Sequence, residues 1–349
     1  MMKDEGCAAL EWVAYHRLIG ADRIVVLTND CTDGTDAMLD RLEALGEVSH
    51  VRNPVPPGKK PQPQALRRAE TIAGVMGSDW VMTLDADEFL SIRTGSGTLP
   101  CLIEALPAGT DACALTWRVF GSAGHRRWTG DLVTDVFARA APDDFRRGWG
   151  VKTLFRPFPD ARLGIHRPWI RGARKHPERI RQLARLRWVN GSGDDLPEAF
   201  ALGSWRSTRR TVGYGLAEVN HYAVKSREAF LLRRARGNVN LKTGKYDAAY
   251  FALHDRNEIA RPQIRRHLPG LRARIAGYLA DPELARLQAR ALDWTAARLE
   301  ELRASPGYAA TMDELTEAPE SGWTVDETIA PDGPDASDYS GNPVLDGWF

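Results

Sequence analysis

Two short apolar runs, Arg23–Thr28 (RIVVLT) and Asp79–Leu84 (DWVMTL), each stop at a cluster of polar and acidic residues. Asn29-Asp30 follows the first and Asp85-Ala86-Asp87-Glu88 the second. Runs this short and rich in Val, Ile and Leu read as buried strands. The segments beside them carry helical periodicity. Cys7, Leu10, Ala14 and Leu18 recur at helical spacing and end at Gly20. Met38, Leu42 and Leu45 follow the capping candidates Thr35 and Asp36 and end at Gly46. Gln64–Met76 is again helical, after a Pro-rich loop over Pro54–Pro63. Val48–Val51 and Asp111–Val119 add strands. This alternation predicts an α/β fold with a mostly parallel central sheet flanked by helices. Such sheets bind ligands at the carboxyl ends of their strands, where both acidic clusters fall.

The 349 residues suffice for one large domain or two smaller ones. Residues 1–119 form a first half of the domain and 120–225, irregular and rich in Trp, Arg and Gly, a second half. A helical extension follows over 226–305, and 306–349 reads as an acidic, flexible tail. The net charge of +1 hides a division: the chain to Arg303 carries +11 and the remainder −10. Cys7, Cys31, Cys101 and Cys113 lack the spacing of a disulfide framework and read as free thiols. The sequence contains no apolar run of transmembrane length, and Met1-Met2-Lys3-Asp4-Glu5 has no apolar stretch of the signal-peptide type, so secretion by that route is not expected. These features predict a cytoplasmic protein.

Asp85 and Asp87, one residue apart at the end of a strand, can turn toward one point. Oxygen ligands of this kind suit Mg²⁺ or Mn²⁺, which in turn hold phosphate oxygens. Asp135, inside the apolar segment Leu132–Phe137, and the loop acids Asp194 and Asp195 are candidate catalytic bases. Arg162 to Arg187 is a dense basic stretch, with Trp169 and Trp188 as stacking faces. It reads as ordinary surface or as a site for anionic acceptors or lipid head groups. No nucleic-acid motif accompanies it.

In order along the chain, Lys3-Asp4-Glu5 with Leu10–His16, Asn29–Thr35, Asp79–Phe89 and Asn220–Ser226 resemble the family 2-like glycosyltransferases, enzymes of the GT-A fold. The resemblance implies a metal-dependent transferase that moves a sugar from a nucleotide-sugar, a UDP-sugar, to a glycan or glycolipid acceptor. It implies a hexosyl transfer, inverting, within polysaccharide biosynthesis, with peripheral contact at the inner face of an anionic membrane. Asp85, Asp87 and His221 would be the metal ligands, His221 reading equally as a core histidine. Glu5, Asn29, Asp30, Asp33, Lys60 and Asp85 would face the nucleotide. A GT-A sheet also begins with a strand just before Lys3, where this sequence has Met1 and Met2. The alternatives are a nucleotidyltransferase, or a binding protein of the same fold without turnover.

Overall fold

The computed structural model describes residues 1–56, 58–172, 176–203, 205–236 and 246–317. The first third follows the sequence pattern closely. Helix α1 (Gly6–Leu18) leads to β1 (Val25–Thr28), α2 (Thr35–Ala44) and β2 (Ser49–Arg52), and β1 and β2 pair in parallel. Gly20 and Gly34 take the positive φ that their helix ends require. Helix α3 (Pro61–Thr71) starts earlier than its apolar pattern does, because Pro61 suits the first turn.

Strand β3 keeps only Val81–Met82 of the predicted run, and β4 (Glu88–Ile92) begins directly after the acidic segment. Helix α4 (Leu99–Ala105) and β5 (Ala112–Val119) follow. The middle third supplies α5 (Val133–Val136), β6 (Arg139–Ala140), β7 (Val151–Phe155), β8 (Ala161–Arg162), β9 (Trp169–Ile170), β10 (Trp188–Asn190), α6 (Glu198–Gly203) and β11 (Ala217–His221). The central sheet runs β3-β7-β5-β11-β4, with β10 also paired to β5.

This sheet is mixed, which corrects the mostly parallel arrangement predicted above. β11 and β10 lie parallel to β5, whereas β7 is antiparallel to both β5 and β3, and β4 is antiparallel to β11. The regular strand–helix rhythm that implies parallel pairing ends near β3, and β4 follows β3 after residues 83–87 with no helix between. Edge strands β3 and β4 are joined by residues 83–87 alone, so the sheet curls and the acidic segment spans its mouth.

Two polar features pin the curl. Glu218 on β11, 1% exposed, takes hydrogen bonds from Arg118 of β5 and Arg93. Trp12 and Tyr15 of α1 donate to the Glu88 and Leu90 carbonyls of β4. Between β1 and β3 lies a second cavity, of about 390 Å³, lined by Val26, Leu27, Val81, Leu84, Trp12 and His16.

Helix α7 (Arg227–Arg236) follows β11, then α8 (Ala248–His254), β12 (Ile259–Ala260), α9 (Leu268–Leu279) and α10 (Pro282–Ala304). Helices α9 and α10 pack on α1. A last helix, α11 (Tyr308–Glu317), occupies the start of the stretch read as a flexible tail. Met312 and Leu315 bury its apolar side in a cluster with Phe230 and Phe251, and the Tyr308 hydroxyl donates to Glu228. The tail beyond Glu317 lies outside the described residues. Among the described residues all four cysteines are free, and no helix is long and apolar enough to cross a membrane.

Candidate functional site

The mouth of the curled sheet brings three strands under the acidic segment. β7 contributes Lys152, β5 contributes Trp117 and β11 contributes His221. The segment itself is a closed turn: the Glu88 amide donates to the Asp85 carbonyl, and the Asp85 amide donates to Glu88 Oε2 at 2.8 Å.

Asp85 faces the β7 side. Its Oδ2 accepts from Lys152 Nζ at 2.9 Å and its Oδ1 from Gln62 Nε2 at 2.9 Å. Lys152 has no exposed side-chain surface and is fixed further by the Ile165 carbonyl and by Glu88 at 3.2 Å. Burial works to raise the Asp85 pKa, but nearby positive charge, led by the Lys152 ammonium, holds the carboxyl below its usual range. Glu88 is fully buried and goes the other way, its pKa raised by burial. His166, buried beside Lys152, is pushed down to about 3, by burial first and the ammonium second.

Asp87 faces the opposite side. It is 6% exposed and accepts from Arg233 Nη1, on α7, at 2.5 Å. His221 Nε2 stands 3.6 Å from the same carboxylate oxygen, and the His221 ring lies against Trp117 with centroids 4.6 Å apart. Burial opposes the Asp87 charge, yet Arg233 and His221 together hold its pKa well below the carboxylate range. The three predicted metal ligands are thus divided. Asp87 and His221 meet, while Asp85 turns to Lys152. Among the described residues no group of three or more His, Cys, Asp and Glu side chains is arranged to hold a metal ion.

The nucleotide candidates lie nearby in two kinds of environment. Asp33 accepts from the Gly6 amide at 2.7 Å and from the Thr35 amide and hydroxyl, tying the starts of α1 and α2 together. Only glycine fits at position 6, since a Cβ there would lie 2.9 Å from Asp33 Oδ2 and 2.8 Å from Ala291. Glu5 pairs with Arg236 at 2.7 Å. Asn29 is buried and donates to Asp30, which is exposed and has a left-handed backbone. Lys60 stands at the start of α3, two residues before Gln62.

The candidate bases are placed elsewhere. Asp135, on α5, is held by Arg272 and Arg265. Asp194 closes a turn on Asn190, and Asp195 pairs with Arg187. The basic stretch is largely internal bonding: Arg162 pairs with Glu70, Arg179 with Asp160, and Arg167, 5% exposed, donates to the carbonyls of Phe200 and Ala201. Trp188 is 2% exposed and part of the core, so it offers no stacking face. Arg171, Arg181 and Arg185 remain exposed, and Arg174 and Lys175 lie outside the described residues.

A cavity of about 380 Å³ has Arg233, the partner of Asp87, in its wall. Glu5, Trp128, Lys225, Arg233, Arg236 and Trp294 are among its walls. It lies beyond the carboxyl ends of β1, β5 and β11, since Thr32, residues 127–131 and residues 222–226 all follow those strands and line it. Lys225 has a left-handed backbone (φ 56°), a conformation that an ordinary side chain adopts at a cost.

The glycosyltransferase family 92 model matches residues 8–190, more than half of the chain and the segment that includes most of α1, the acidic turn Asp85–Glu88 and Lys152. The chain belongs to glycosyltransferase family 92. This replaces the family 2-like resemblance: the chain falls with glycosyltransferases, in a different family. A family 92 protein of Ricinus communis is 25% identical over 136 residues, which are 38% of this chain and 24% of that protein. The match therefore spans about a quarter of the relative's length.

Sequence reasoning pointed to Asp85 and Asp87 and missed the side chains that bond to them, Lys152, Gln62 and Arg233. Lys152 carried a readable signal, a lone lysine within the apolar strand Val151–Phe155. Gln62 and Arg233 carried none, because each sits in a helix whose pattern is that of an ordinary surface.

Proposed function

We propose that this family 92 protein transfers a sugar from a nucleotide-sugar, a UDP-sugar, to a glycan or glycolipid acceptor, with Mn²⁺ or Mg²⁺ held at Asp87 and His221. The observation that supports this most is the meeting of Asp87, at the mouth of the curled sheet, with His221 from β11 and with Arg233, which also lines a cavity rich in Arg and Lys. One carboxylate and one imidazole suit Mn²⁺ or Mg²⁺ when phosphate oxygens and water complete the shell. When bound, such an ion would neutralise the charge that develops on the departing nucleoside diphosphate.

The chain's own groups account for the rest. Asn29 and Asp30, just past β1, would meet the base or ribose in this reading. Lys225, Arg233 and Arg236 offer positive charge to the diphosphate from the cavity wall. Trp128 and Trp294 give the cavity apolar faces of the kind on which sugar rings stack. Asp135 and Asp194, engaged at α5 and in the Asn190 turn, are not given the base role. A hexosyl group, inverting stereochemistry, a place in polysaccharide assembly and contact of Arg171, Arg181 and Arg185 with an anionic inner membrane face complete the reading.

The test is purified protein with Mn²⁺ and a panel of nucleotide-sugars, followed by release of nucleoside diphosphate. Release should occur with one donor and fall by about a hundredfold or more in Asp87→Ala. Turnover undiminished in Asp87→Ala would rule out the metal assignment. Binding of every donor without release would favour a binding protein.

A further inference from the structure

Asp87 presents one carboxylate oxygen to two groups at once. Arg233 Nη1 donates to Oδ2 at 2.5 Å, and His221 Nε2 stands 3.6 Å from the same atom. A divalent cation seated between Asp87 and His221 would need that oxygen and would stand against a guanidinium. Two positive charges on one buried oxygen repel each other, so each weakens the hold of the other. Arg233 is also loosely provided for: Nη1 reaches the Ala223 carbonyl at 2.9 Å, Nη2 reaches the Tyr246 hydroxyl only at 3.3 Å, and buried Nε makes no hydrogen bond. A buried guanidinium N–H without an acceptor costs free energy that an added anion would recover. The cavity that Arg233 lines also has Lys225, Arg236 and Arg127 in its wall, so a released guanidinium would be repelled there unless an anion came with it.

We propose that Arg233 is a displaceable counter-ion: it neutralises Asp87 while no divalent cation is bound, and it transfers its guanidinium to a phosphate oxyanion in the adjoining cavity when one is. This rests on the nucleotide-sugar reading above and adds a coupling to it. Cation and nucleoside diphosphate bind together well and separately poorly, because each relieves the charge that the other leaves unmatched.

Mn²⁺ binding by the full chain, followed through the electron paramagnetic resonance signal of free Mn²⁺ with and without UDP, tests it without reference to turnover. Arg233→Gln should bind Mn²⁺ alone roughly tenfold more tightly than wild type, and the gain in Mn²⁺ affinity that UDP produces should shrink by a similar factor. Arg233→Lys keeps the charge and should move both quantities the same way by less, which serves if Arg233→Gln does not fold. Unchanged or weaker Mn²⁺ affinity in the variants would overturn the counter-ion role. Wild-type protein that binds neither UDP nor Mn²⁺ with UDP would instead overturn the nucleotide reading itself.

Discussion

Asp85 and Asp87 belong to one tripeptide and are neutralised in opposite ways. Asp85 meets a lysine that rises from the middle of a strand, has no exposed surface and is fixed by a second carboxylate and a carbonyl. Asp87 meets an arginine that reaches in from a helix and leaves one of its own N–H groups unused. The first arrangement is closed to exchange, since removing the lysine strands buried Glu88 beside half-buried Asp85. The second can trade one cation for another. A pair of acids one residue apart therefore divides into a structural member and a replaceable one, by the origin of the cation each receives.

The largest expected effect breaks the closed member. Lys152→Met leaves Asp85 and Glu88 without their cation and should cost about 3–5 kcal/mol of stability by urea unfolding. Arg233→Gln should cost less, about 1–3 kcal/mol, because it removes one charge-assisted pair at a side chain that water partly reaches. Equal losses in the two variants would erase the distinction between structural and replaceable acids.

The smallest effect is a pH slope, and it sharpens the description of the Asp85 side. Buried His166 and His16 are held neutral, their pKa values pushed down to about 3 and about 4, chiefly by burial. The unfolded chain binds protons on both below pH about 6.5, so they add stability that is full above that pH and fades as pH falls toward 4. Glu88 opposes them. Its raised pKa, about 7, makes the folded state the better proton binder from about pH 4.5 upward, so its contribution is lost as pH rises through 7. The two imidazoles outweigh the one carboxyl, and melting temperature should rise between pH 4 and 6.5. Glu88→Gln should steepen that rise. A flatter profile in the variant would mean that Glu88 is ionised in its buried place.

How far the sequence carried this picture depended on distance along the chain. Helices α1 and α2 and strands β1, β2 and β5 were legible because their apolar spacing and glycine stops are local. The antiparallel β4 and β7 were not, since nothing in Glu88–Ile92 or Val151–Phe155 names the partner strand. The site divided along the same line. Asp85, Asp87 and His221 stood at readable positions after or within strands. Lys152 and Arg233 follow the acidic segment by the length of several elements, and their roles exist only once the sheet has curled. The same loss of distant information placed Trp188 on a surface when it is core, and made a basic face of arginines that mostly bond internally.

The position of β11 has a consequence for how the protein is made. It lies between β4 and β5, which precede it in the chain, and so separates two strands that are synthesised first. Until Ala217–His221 leaves the ribosome, β4 and β5 each present an unsatisfied edge along the flank that β11 will fill. The segment matched to family 92 ends at residue 190, before that strand, so it holds the acids of the site without the strand that closes the sheet around them. The nascent chain is most open to wrong pairing in that interval, and a fragment cut at the family boundary would remain in it.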